Sequence, residues 1–273
     1  MKTNLIAILI LGCLIGCTNA KKEPIVLLDK KLSNFEPFIG IPHSTVKGLP
    51  EGTYQSNNVW GEGKPMGLNA DIKNVFSVIE EDGKPVLRVS GEIFGGLTTK
   101  KEYENYHFST KFKWGNKKWE PRLNKKLDSG LLYHCYGDHG RFWKVWKTCI
   151  EYQVQETDLG DDIFLGETVV KPGEPAPKSS TYRPIPKSEA TKLDKKQGEW
   201  NLLEFYTLGN DSVHVVNGQV VVVLEDSRIH DGSELSKGQI QIQSEAAECF
   251  YKDILIQPIK EFPEAIRMQM SSN

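Results

Sequence analysis

Short runs of apolar residues, each bounded by turn residues, follow one another along most of this chain, and helical periodicity is almost absent. In residues 108–114 the aromatic side chains of Phe108, Phe112 and Trp114 share one parity, and Lys111 and Lys113 occupy the other. Because side chains alternate between the two faces of a strand, this pattern predicts a strand with one apolar and one polar face. Similar signals predict further strands at residues 25–28, 75–79, 86–89, 130–135, 150–155, 202–208, 213–224, 239–243 and 254–256. The sequence therefore predicts an all-β chain.

The clearest turn lies at Asn217-Gly218, between two Val-rich runs. Asn and Gly tolerate the positive φ angles of a type I′ turn, whose twist matches that of the flanking strands. We therefore predict a hairpin over residues 213–224.

The organisation of the chain favours one folding unit. Residues 40–70 are rich in Gly, Pro and Asn and predict a loop, and the Pro-rich residues 171–186 predict an excursion over the surface. No internal repeat or change of composition marks a second domain, and many turn-bounded strands favour a two-sheet sandwich. We assign residues 25–260 to a single β-sandwich domain and residues 261–273 to a polar tail that holds at most a short helix.

The charge balance excludes some function classes. Lys plus Arg number 34 and Asp plus Glu number 36, which gives a formal charge of −2. No overall basic field is available to attract nucleic acid. Fingerprints of a Gly-x-Ser-x-Gly nucleophile, a phosphate loop or a dinucleotide site are also missing from the sequence.

The N-terminus predicts export. Lys2 precedes an apolar run that is too short to span a bilayer and ends at Leu14-Ile15-Gly16-Cys17, which is similar to a bacterial lipobox. Residues 1–16 are predicted to be a lipoprotein signal peptide, Cys17 the lipidated N-terminus and residues 17–24 a tether. The protein is expected in the bacterial cell envelope, at the periplasm or the cell surface, and in contact with a membrane only through its lipid. The alternative is an ordinary signal peptide with an incidental Cys.

Three further cysteines remain in the exported chain: Cys135, Cys149 and Cys249. Their spacing matches no zinc motif. We predict buried thiols without a chemical role, with a Cys135–Cys149 disulfide as the alternative.

Two predicted strands carry unusual polar stripes. Glu151, Gln153 and Gln155 share one face of the first strand, and Gln239, Gln241 and Gln243 share one face of the second, which ends at Glu245. Amides and carboxylates in rows offer directional donors and acceptors that suit sugar hydroxyls. Trp143 and Trp146 are candidate stacking walls beside this surface. The alternative is that both stripes are hydrated outer faces.

His134 is the candidate that could add proton transfer to this surface. Gly130, Leu132 and His134 share a parity, so His134 is predicted to lie above the same surface as Glu151, and Gly130 indicates close approach by another group. His and a carboxylate can exchange a proton near neutral pH. A structural histidine is the alternative. No cofactor is firmly predicted, and a divalent metal stays open, with His134, Glu151 and Asp158 as weak candidate ligands.

Several segments in a fixed order extend these observations. They are Gly95-Gly-Leu-Thr-Thr99, Tyr106-His-Phe-Ser-Thr-Lys-Phe112, Asp128-Ser-Gly-Leu-Leu-Tyr-His134, Glu151-Tyr-Gln-Val-Gln-Glu156-Thr-Asp158-Leu-Gly160-Asp161, Glu199-Trp-Asn201, Val216-Asn-Gly218 and Gly238-Gln-Ile-Gln-Ile-Gln-Ser-Glu245. From about residue 25 to 259 the chain resembles the 3-keto-disaccharide hydrolase family, also described as 3-keto-glucoside 1,2-lyase with 3-keto-2-hydroxyglucal hydratase activity.

The resemblance implies a concanavalin A-like jelly-roll sandwich and a glucoside whose C3 hydroxyl a separate oxidoreductase has already oxidised. A base removes the C2 proton, the C1 aglycone leaves, and water can add to the resulting glucal. Carried onto this chain, it implies His134 or Glu151 as base, with the other orienting it or acting as acid. Further implied contacts to sugar hydroxyls or the enolate come from Gln153, Gln155, Gln243, Glu245, Lys100 and Arg122.

The shape of the pocket entrance and the type of activity are left open by the sequence. The basic residues 115–126 predict a loop that could reshape the pocket entrance. A non-catalytic, lectin-like carbohydrate-binding lipoprotein would use the same architecture. A conventional glycoside hydrolase is disfavoured because Glu151 is the one acidic residue in the central stripe.

Overall fold

The computed structural model describes residues 23–166, 168–169, 181–183 and 193–271. Within these ranges two antiparallel sheets account for most of the chain. The strands of the first sheet are β1 (Ile25–Val26), β4 (Phe76–Glu81), β5 (Lys84–Val89), β8 (Tyr106–Lys118), β14 (Asn201–Leu208), β15 (Asp211–Val216), β16 (Gln219–Leu224) and β19 (Ala247–Pro258). Their order is β16-β15-β14-β8-β19-β5-β4, and β1 pairs with β19.

The second sheet carries the candidate functional residues. Its strands are β2 (Phe35–Ile39), β3 (Gly67–Leu68), β6 (Gly95–Thr99), β7 (Tyr103–Glu104), β9 (Asp128–Tyr136), β10 (Thr148–Gln155), β11 (Asp162–Leu165), β13 (Thr181–Arg183) and β18 (Lys237–Ser244). Their order is β13-β11-β10-β9-β18-β6-β2-β3, and β7 pairs with β18. A separate pair is formed by β12 (Thr168–Val169) and β17 (Arg228–Ile229).

The main core lies between the two sheets. Alternation along β9 and β10 turns Leu131, Ile150 and Tyr152 toward the apolar face of the first sheet, where Phe108 and Phe205 stack with ring centroids 4.7 Å apart. Burying such side chains contributes about 1.5–3 kcal/mol each. The opposite face of β9 and β10 is thereby left for polar residues.

The sequence predictions of fold class are confirmed: the chain is an all-β jelly-roll sandwich of two antiparallel sheets. The hairpin is also confirmed, since Asn217 and Gly218 have φ angles of 50° and 87° between β15 and β16. Within the predicted loop of residues 40–70, a short strand, β3, pairs with β2. The strand signals missed β2, β6 and β11, whose sequences lack clean alternation.

The structure describes the C-terminal end of the chain but not the predicted signal peptide at the N-terminal end. Residues 1–22, with the predicted signal peptide and Cys17, lie outside the described residues, as does most of the Pro-rich segment 171–186. Near the C-terminus the tail forms helix α1 (Glu264–Met270), which buries Ile266. No helix among the described residues is long and apolar enough to cross a membrane.

The cysteines of the described residues, Cys135, Cys149 and Cys249, are buried thiols that form no disulfide. Of the two alternatives drawn from the sequence, the structure therefore has the thiols and not the disulfide. Burial raises the pKa of the Cys249 thiol to about 12, so it stays protonated at neutral pH.

Candidate active site

A polar cavity of about 150 Å³ opens on the face of the second sheet that points away from the main core. Its lining combines charged, amide and apolar side chains from β9, β10, β11, β18 and three connecting segments. The lining residues are Arg122, Asp128, Trp143, Trp146, Glu151, Gln153, Ile163, Leu165, Gln243 and Glu245.

Gly130 of β9 lies at the floor of this cavity, next to the side chains of Glu151 and Gln243. Gln153 of β10 pairs directly with Gly130 of β9, and Glu151 pairs with Leu132. A Cβ atom at residue 130 would lie 2.3 Å from Glu151 Oε1 and 2.6 Å from Gln243 Oε1. Because real contacts are never that short, only glycine leaves room for the Glu151 carboxyl group. The absence of a side chain at residue 130 therefore leaves the space that the Glu151 carboxyl group occupies at the floor of the cavity.

Three carboxyl groups meet in the cavity, and Arg122 binds two of them. Arg122 Nη1 donates to Glu245 Oε1 at 2.9 Å, and its Nη2 donates to Asp128 Oδ2. Gln155 Nε2 also donates to Asp128 Oδ2, at 2.6 Å. Among the ion pairs formed by the described residues, Glu151 has no part. Glu151 is therefore the cavity carboxyl that no cation of the described residues neutralises.

The environment of these carboxyls favours their protonated forms. Burial, together with the negative charges of Glu245 and Asp128, raises the pKa of Glu151 well above its ordinary value, and a hydrogen bond from Gln243 opposes this. Burial and Glu245 likewise raise the pKa of Asp128, against the opposing charge of Arg122. Burial raises the pKa of Glu245, again against Arg122. Carboxyls of this kind are suited to proton transfer near neutral pH.

Several buried acceptor atoms in the cavity have no hydrogen-bond partner among the described residues. They are Asp128 Oδ1, Gln153 Oε1 and Gln243 Oε1. A buried polar atom without a partner costs about 1–3 kcal/mol, so such atoms are retained where a ligand or solvent can satisfy them. Acceptors in this number suit a ligand that presents several hydroxyl groups.

Apolar side chains complete the walls. Trp146 is buried and donates its indole N–H to the Gly95 carbonyl at 3.2 Å, whereas Trp143 is 39% exposed at the opening. Their ring centroids are 5.9 Å apart. Ile163 and Leu165 of β11 follow the same face because they pair with Glu151 and Cys149. A polar floor beside aromatic walls is an arrangement that holds both the hydroxyls and the C–H faces of a sugar.

His134 does not line this cavity, contrary to the shared face predicted for it and Glu151. It is an extra residue in β9: Cys135 pairs with Gln239 and Leu132 with Gln241, so three steps on β9 match two on β18. This bulge, with φ of 51° at His134, breaks the parity on which the prediction depended.

The environment of His134 is that of a core residue. Its ring packs edge-on against Tyr133 of the main core, 5.2 Å between centroids, and neither ring nitrogen has a hydrogen-bond partner among the described residues. Burial lowers the pKa of His134 to about 3. The imidazole is therefore neutral at physiological pH.

Three other predicted residues lie outside the lining. Lys100 is exposed, and its Nζ donates to the Ser33 carbonyl at 2.8 Å. Gln155 reaches the site only through Asp128. Asp158 is paired with Lys126 away from the cavity, so the weak metal set of His134, Glu151 and Asp158 is not brought together. The described part of the chain holds no group of three or more His, Cys, Asp and Glu side chains placed to bind a metal ion.

Sequence reasoning missed Asp128, Ile163 and Leu165. Asp128 shares the parity of Gly130 and Leu132, so the same alternation that drew attention to Gly130 could have found it. Ile163 and Leu165 had no comparable signal, since β11 follows a turn without a clear pattern. The predicted basic loop over residues 115–126 comprises the end of β8 and the connection to β9, and it delivers Arg122 to the cavity.

Solved structures with a similar arrangement of strands come from several organisms. A proposed glycosyl hydrolase from Parabacteroides distasonis ATCC 8503 matches at 17% identity, covering 87% of this chain and 100% of that chain, with a TM-score of 0.45. LamAcat from Zobellia galactanivorans matches at 11% identity over 88% and 98%, with a TM-score of 0.46. A Bacillus licheniformis β-glucanase matches at 9% identity over 88% and 99%, with a TM-score of 0.42. No curated protein sequence matches the chain.

The sandwich and its acidic, tryptophan-flanked cavity define a carbohydrate-active protein. A family model of the 3-keto-alpha-glucoside-1,2-lyase-like domain matches residues 50–257. The chain therefore belongs to this family, which confirms the resemblance drawn from its sequence motifs.

Proposed function

We propose that this protein cleaves 3-keto-glycosides by elimination, with Glu151 as the base. The C3 ketone makes the C2 hydrogen acidic, so the Glu151 carboxylate takes this proton and the C–H electron pair forms an enolate. The enolate expels the leaving-group oxygen from C1, which creates a C1–C2 double bond, and the departing oxygen takes up a proton. Addition of water to this double bond then gives net hydrolysis.

The observation that carries the proposal is the contrast among the three cavity carboxyls. Arg122 binds Asp128 and Glu245, whereas Glu151 has no cationic partner among the described residues and has a raised pKa. A carboxylate with a raised pKa is a stronger base than an exposed one, which suits removal of a carbon-bound proton.

The other charged groups have roles that follow from their contacts. We assign to the Arg122 guanidinium the stabilisation of negative charge on the C3 oxygen, because it is the cationic side chain among the lining residues. The pair of Asp128 and Glu245, whose pKa values are raised, supplies the proton for the leaving group. Gln153 and Gln243 accept hydrogen bonds from sugar hydroxyls.

The test is to incubate the purified protein with a 3-keto-glucoside in D₂O and follow both aglycone release and hydrogen exchange at C2. Wild type is expected to do both, and Glu151→Gln neither. Glu248→Gln is the matched control because Glu248 is also buried but pairs with Arg88 outside the cavity. Full activity of Glu151→Gln would remove the assignment of the base. Absence of any product from wild type would remove the proposed reaction.

A second candidate is hydrolysis of unoxidised glycosides. The presence of three carboxyls in one cavity favours it, because such enzymes use one carboxyl as acid and another as nucleophile or base. Binding by Arg122 argues against Asp128 or Glu245 as the nucleophile or base of such a reaction, since the guanidinium weakens both carboxylates in that role. Release of reducing sugar from an unoxidised glucoside would favour this candidate. Binding of glycans without any turnover would favour a carbohydrate-binding role instead.

We also propose two features of the protein's setting. A separate oxidoreductase must supply the C3 ketone, because the steps above transfer no hydride. The sequence at Cys17 supports lipid anchoring in the bacterial cell envelope, as expected for a lipobox. Metabolic labelling with a fatty acid tests the anchor: wild type should be labelled and Cys17→Ser should not.

A further inference from the structure

Two exposed tryptophans lie side by side at the opening of the cavity. Trp143 lines the cavity, and Trp60, which does not line it, has its ring centroid 5.9 Å from that of Trp143. The planes of the two rings differ by 37°, so the rings are tilted with respect to each other. Trp60 is 37% exposed and Trp143 is 39% exposed. We call this pair the tryptophan platform.

Separate elements hold each ring in place. Trp60 follows Val59, which is buried in the apolar cluster beside the cavity, and its ring lies 5.4 Å from that of Phe94. Trp143 stacks on Phe142 at 4.7 Å. Each ring therefore contacts a further aromatic ring while part of its surface stays exposed.

The backbone at Trp143 has an unusual conformation. Trp143 and Lys144 are consecutive non-glycine residues with φ of 51° and 59°. The turn is closed by the Val145 N–H, which donates to the Phe142 carbonyl at 3.1 Å. Bulky side chains rarely adopt this region, and such strain is typical of functional sites.

The size of the cavity shows why a surface at its opening matters. Pockets that enclose a drug-sized ligand measure roughly 300–1,000 Å³, whereas this cavity measures about 150 Å³. A glycoside whose sugar ring lies against Glu151 therefore extends beyond the cavity, and Trp143, with Trp60 beside it, lines the cavity at its opening. Exposed indole rings bind the flat apolar faces of aromatic rings and of pyranoses.

We propose that the tryptophan platform binds the leaving group of the glycoside through a flat apolar face, which makes Trp60 a specificity-determining residue. This inference rests on the proposed function, because it takes the sugar that is cleaved to lie in the cavity. The flat face can belong to an aromatic ring or to a second pyranose, and the experiment separates these sources.

The experiment compares 3-keto-glucosides with phenyl, glucosyl and methyl leaving groups in wild type, Trp60→Ala and Trp60→Phe. For each variant, kcat/KM for the phenyl or glucosyl substrate is divided by kcat/KM for the methyl substrate. This ratio is then compared with the same ratio for wild type, so that differences in the intrinsic reactivity of the substrates cancel. Trp60→Ala should lower the ratio about tenfold, the size expected for one aromatic contact. Trp60→Phe should recover most of it. The control is Ile79→Ala, since Ile79 is 42% exposed on β4 of the other sheet.

Each outcome decides a point. A loss confined to the phenyl substrate assigns an aromatic leaving group, and a loss confined to the glucosyl substrate assigns a second sugar. Ratios within twofold of wild type for both substrates in Trp60→Ala would overturn the platform. If wild type releases no product from any substrate, the proposed function fails instead. Affinities for unoxidised phenyl and methyl glucosides, measured by tryptophan fluorescence in the same variants, then test the platform separately.

Discussion

Two buried polar clusters lie on opposite faces of the second sheet, and they differ in how their polar atoms are satisfied. The first is the cavity cluster of Glu151, Asp128, Glu245, Arg122 and Gln243. Two of its acceptor atoms, Asp128 Oδ1 and Gln243 Oε1, have no partner among the described residues.

The second is the closed cluster of Tyr133, Ser212 and His214 in the main core. Tyr133 Oη bonds Ser212 Oγ at 2.7 Å and His214 Nε2 at 2.8 Å, and His214 Nδ1 donates to the Gly160 carbonyl at 2.8 Å. This cluster satisfies its own donors and acceptors and is expected to contribute stability. The cavity cluster instead keeps its hydrogen-bonding capacity for a ligand, at a cost to stability.

The largest expected effect comes from Glu151→Gln, which should lower kcat for a 3-keto-glucoside about 10²–10⁴-fold, the usual contribution of a positioned base. The same change should stabilise the fold at alkaline pH. Because folding raises the pKa of Glu151, its contribution to stability is present at low pH and is lost as pH rises through the folded-state value. Denaturant unfolding at pH 4 and pH 8 checks this. A variant less stable than wild type at pH 8 would contradict the contrast between the clusters.

Lowering the pH should destabilise the fold through protonation of His214 in the closed cluster. Burial lowers its pKa to about 4 from 6.5, so the unfolded chain takes up the proton first. The contribution is therefore present above pH 6.5 and is lost as pH falls toward 4, by about 3 kcal/mol on a scale of 1.36 kcal/mol per pKa unit. Unfolding free energies of wild type and His214→Phe should converge between pH 6.5 and 4. A gap that stays constant over this range would show that His214 does not titrate in this way.

Gly130→Ala adds only a methyl group, yet it should disturb the geometry of the cavity cluster. The added Cβ collides with Glu151 Oε1 and displaces the carboxyl group, which should lower kcat/KM about 100-fold. Ser129→Ala is the neighbouring control, because Ser129 bonds Tyr251 Oη at 2.9 Å on the core side. The control should lose stability but keep its kinetic constants. Equal kinetics in the two variants would mean that the close approach at Gly130 has no role in the site.

Tyr133→Phe should have the smallest effect and the opposite profile to Glu151→Gln. Loss of its hydroxyl leaves Ser212 and His214 short of a partner, at a cost of about 1–3 kcal/mol in unfolding free energy. The kinetic constants should stay within about twofold of wild type, since the hydroxyl lies on the core side of the sheet. A large loss of kcat with unchanged stability would reverse the roles of the two clusters.

The contrast also explains which features could be predicted from the sequence. Regular alternation places Glu151 and Gln153 on one face and Ile150 and Tyr152 on the other, and this face assignment needs no knowledge of other strands. His134 could not be placed in this way. A single extra residue in β9 changes the parity of everything that follows it, and nothing local in the sequence signals the bulge.

Among the residues supplied by loops, Arg122, Trp143 and Trp146 were predicted from the sequence and line the cavity, whereas Trp60 had no sequence signal. Trp60 and Arg122 reach the site because of where two irregular segments cross the sheet, which depends on contacts distant in sequence. Lys100 illustrates the opposite error. It follows a family-like motif, yet the chain turns at the end of β6 and leaves its ammonium group bonded to Ser33.

The position of Arg122 has a consequence for how this cavity can change. It lies between β8 of the first sheet and β9 of the second, so the positive charge that offsets Asp128 and Glu245 belongs to a connection and not to a strand. Insertions or deletions there can alter the acidity of the cavity while both sheets keep their register. Related chains can thus acquire different proton-transfer properties on an unaltered scaffold.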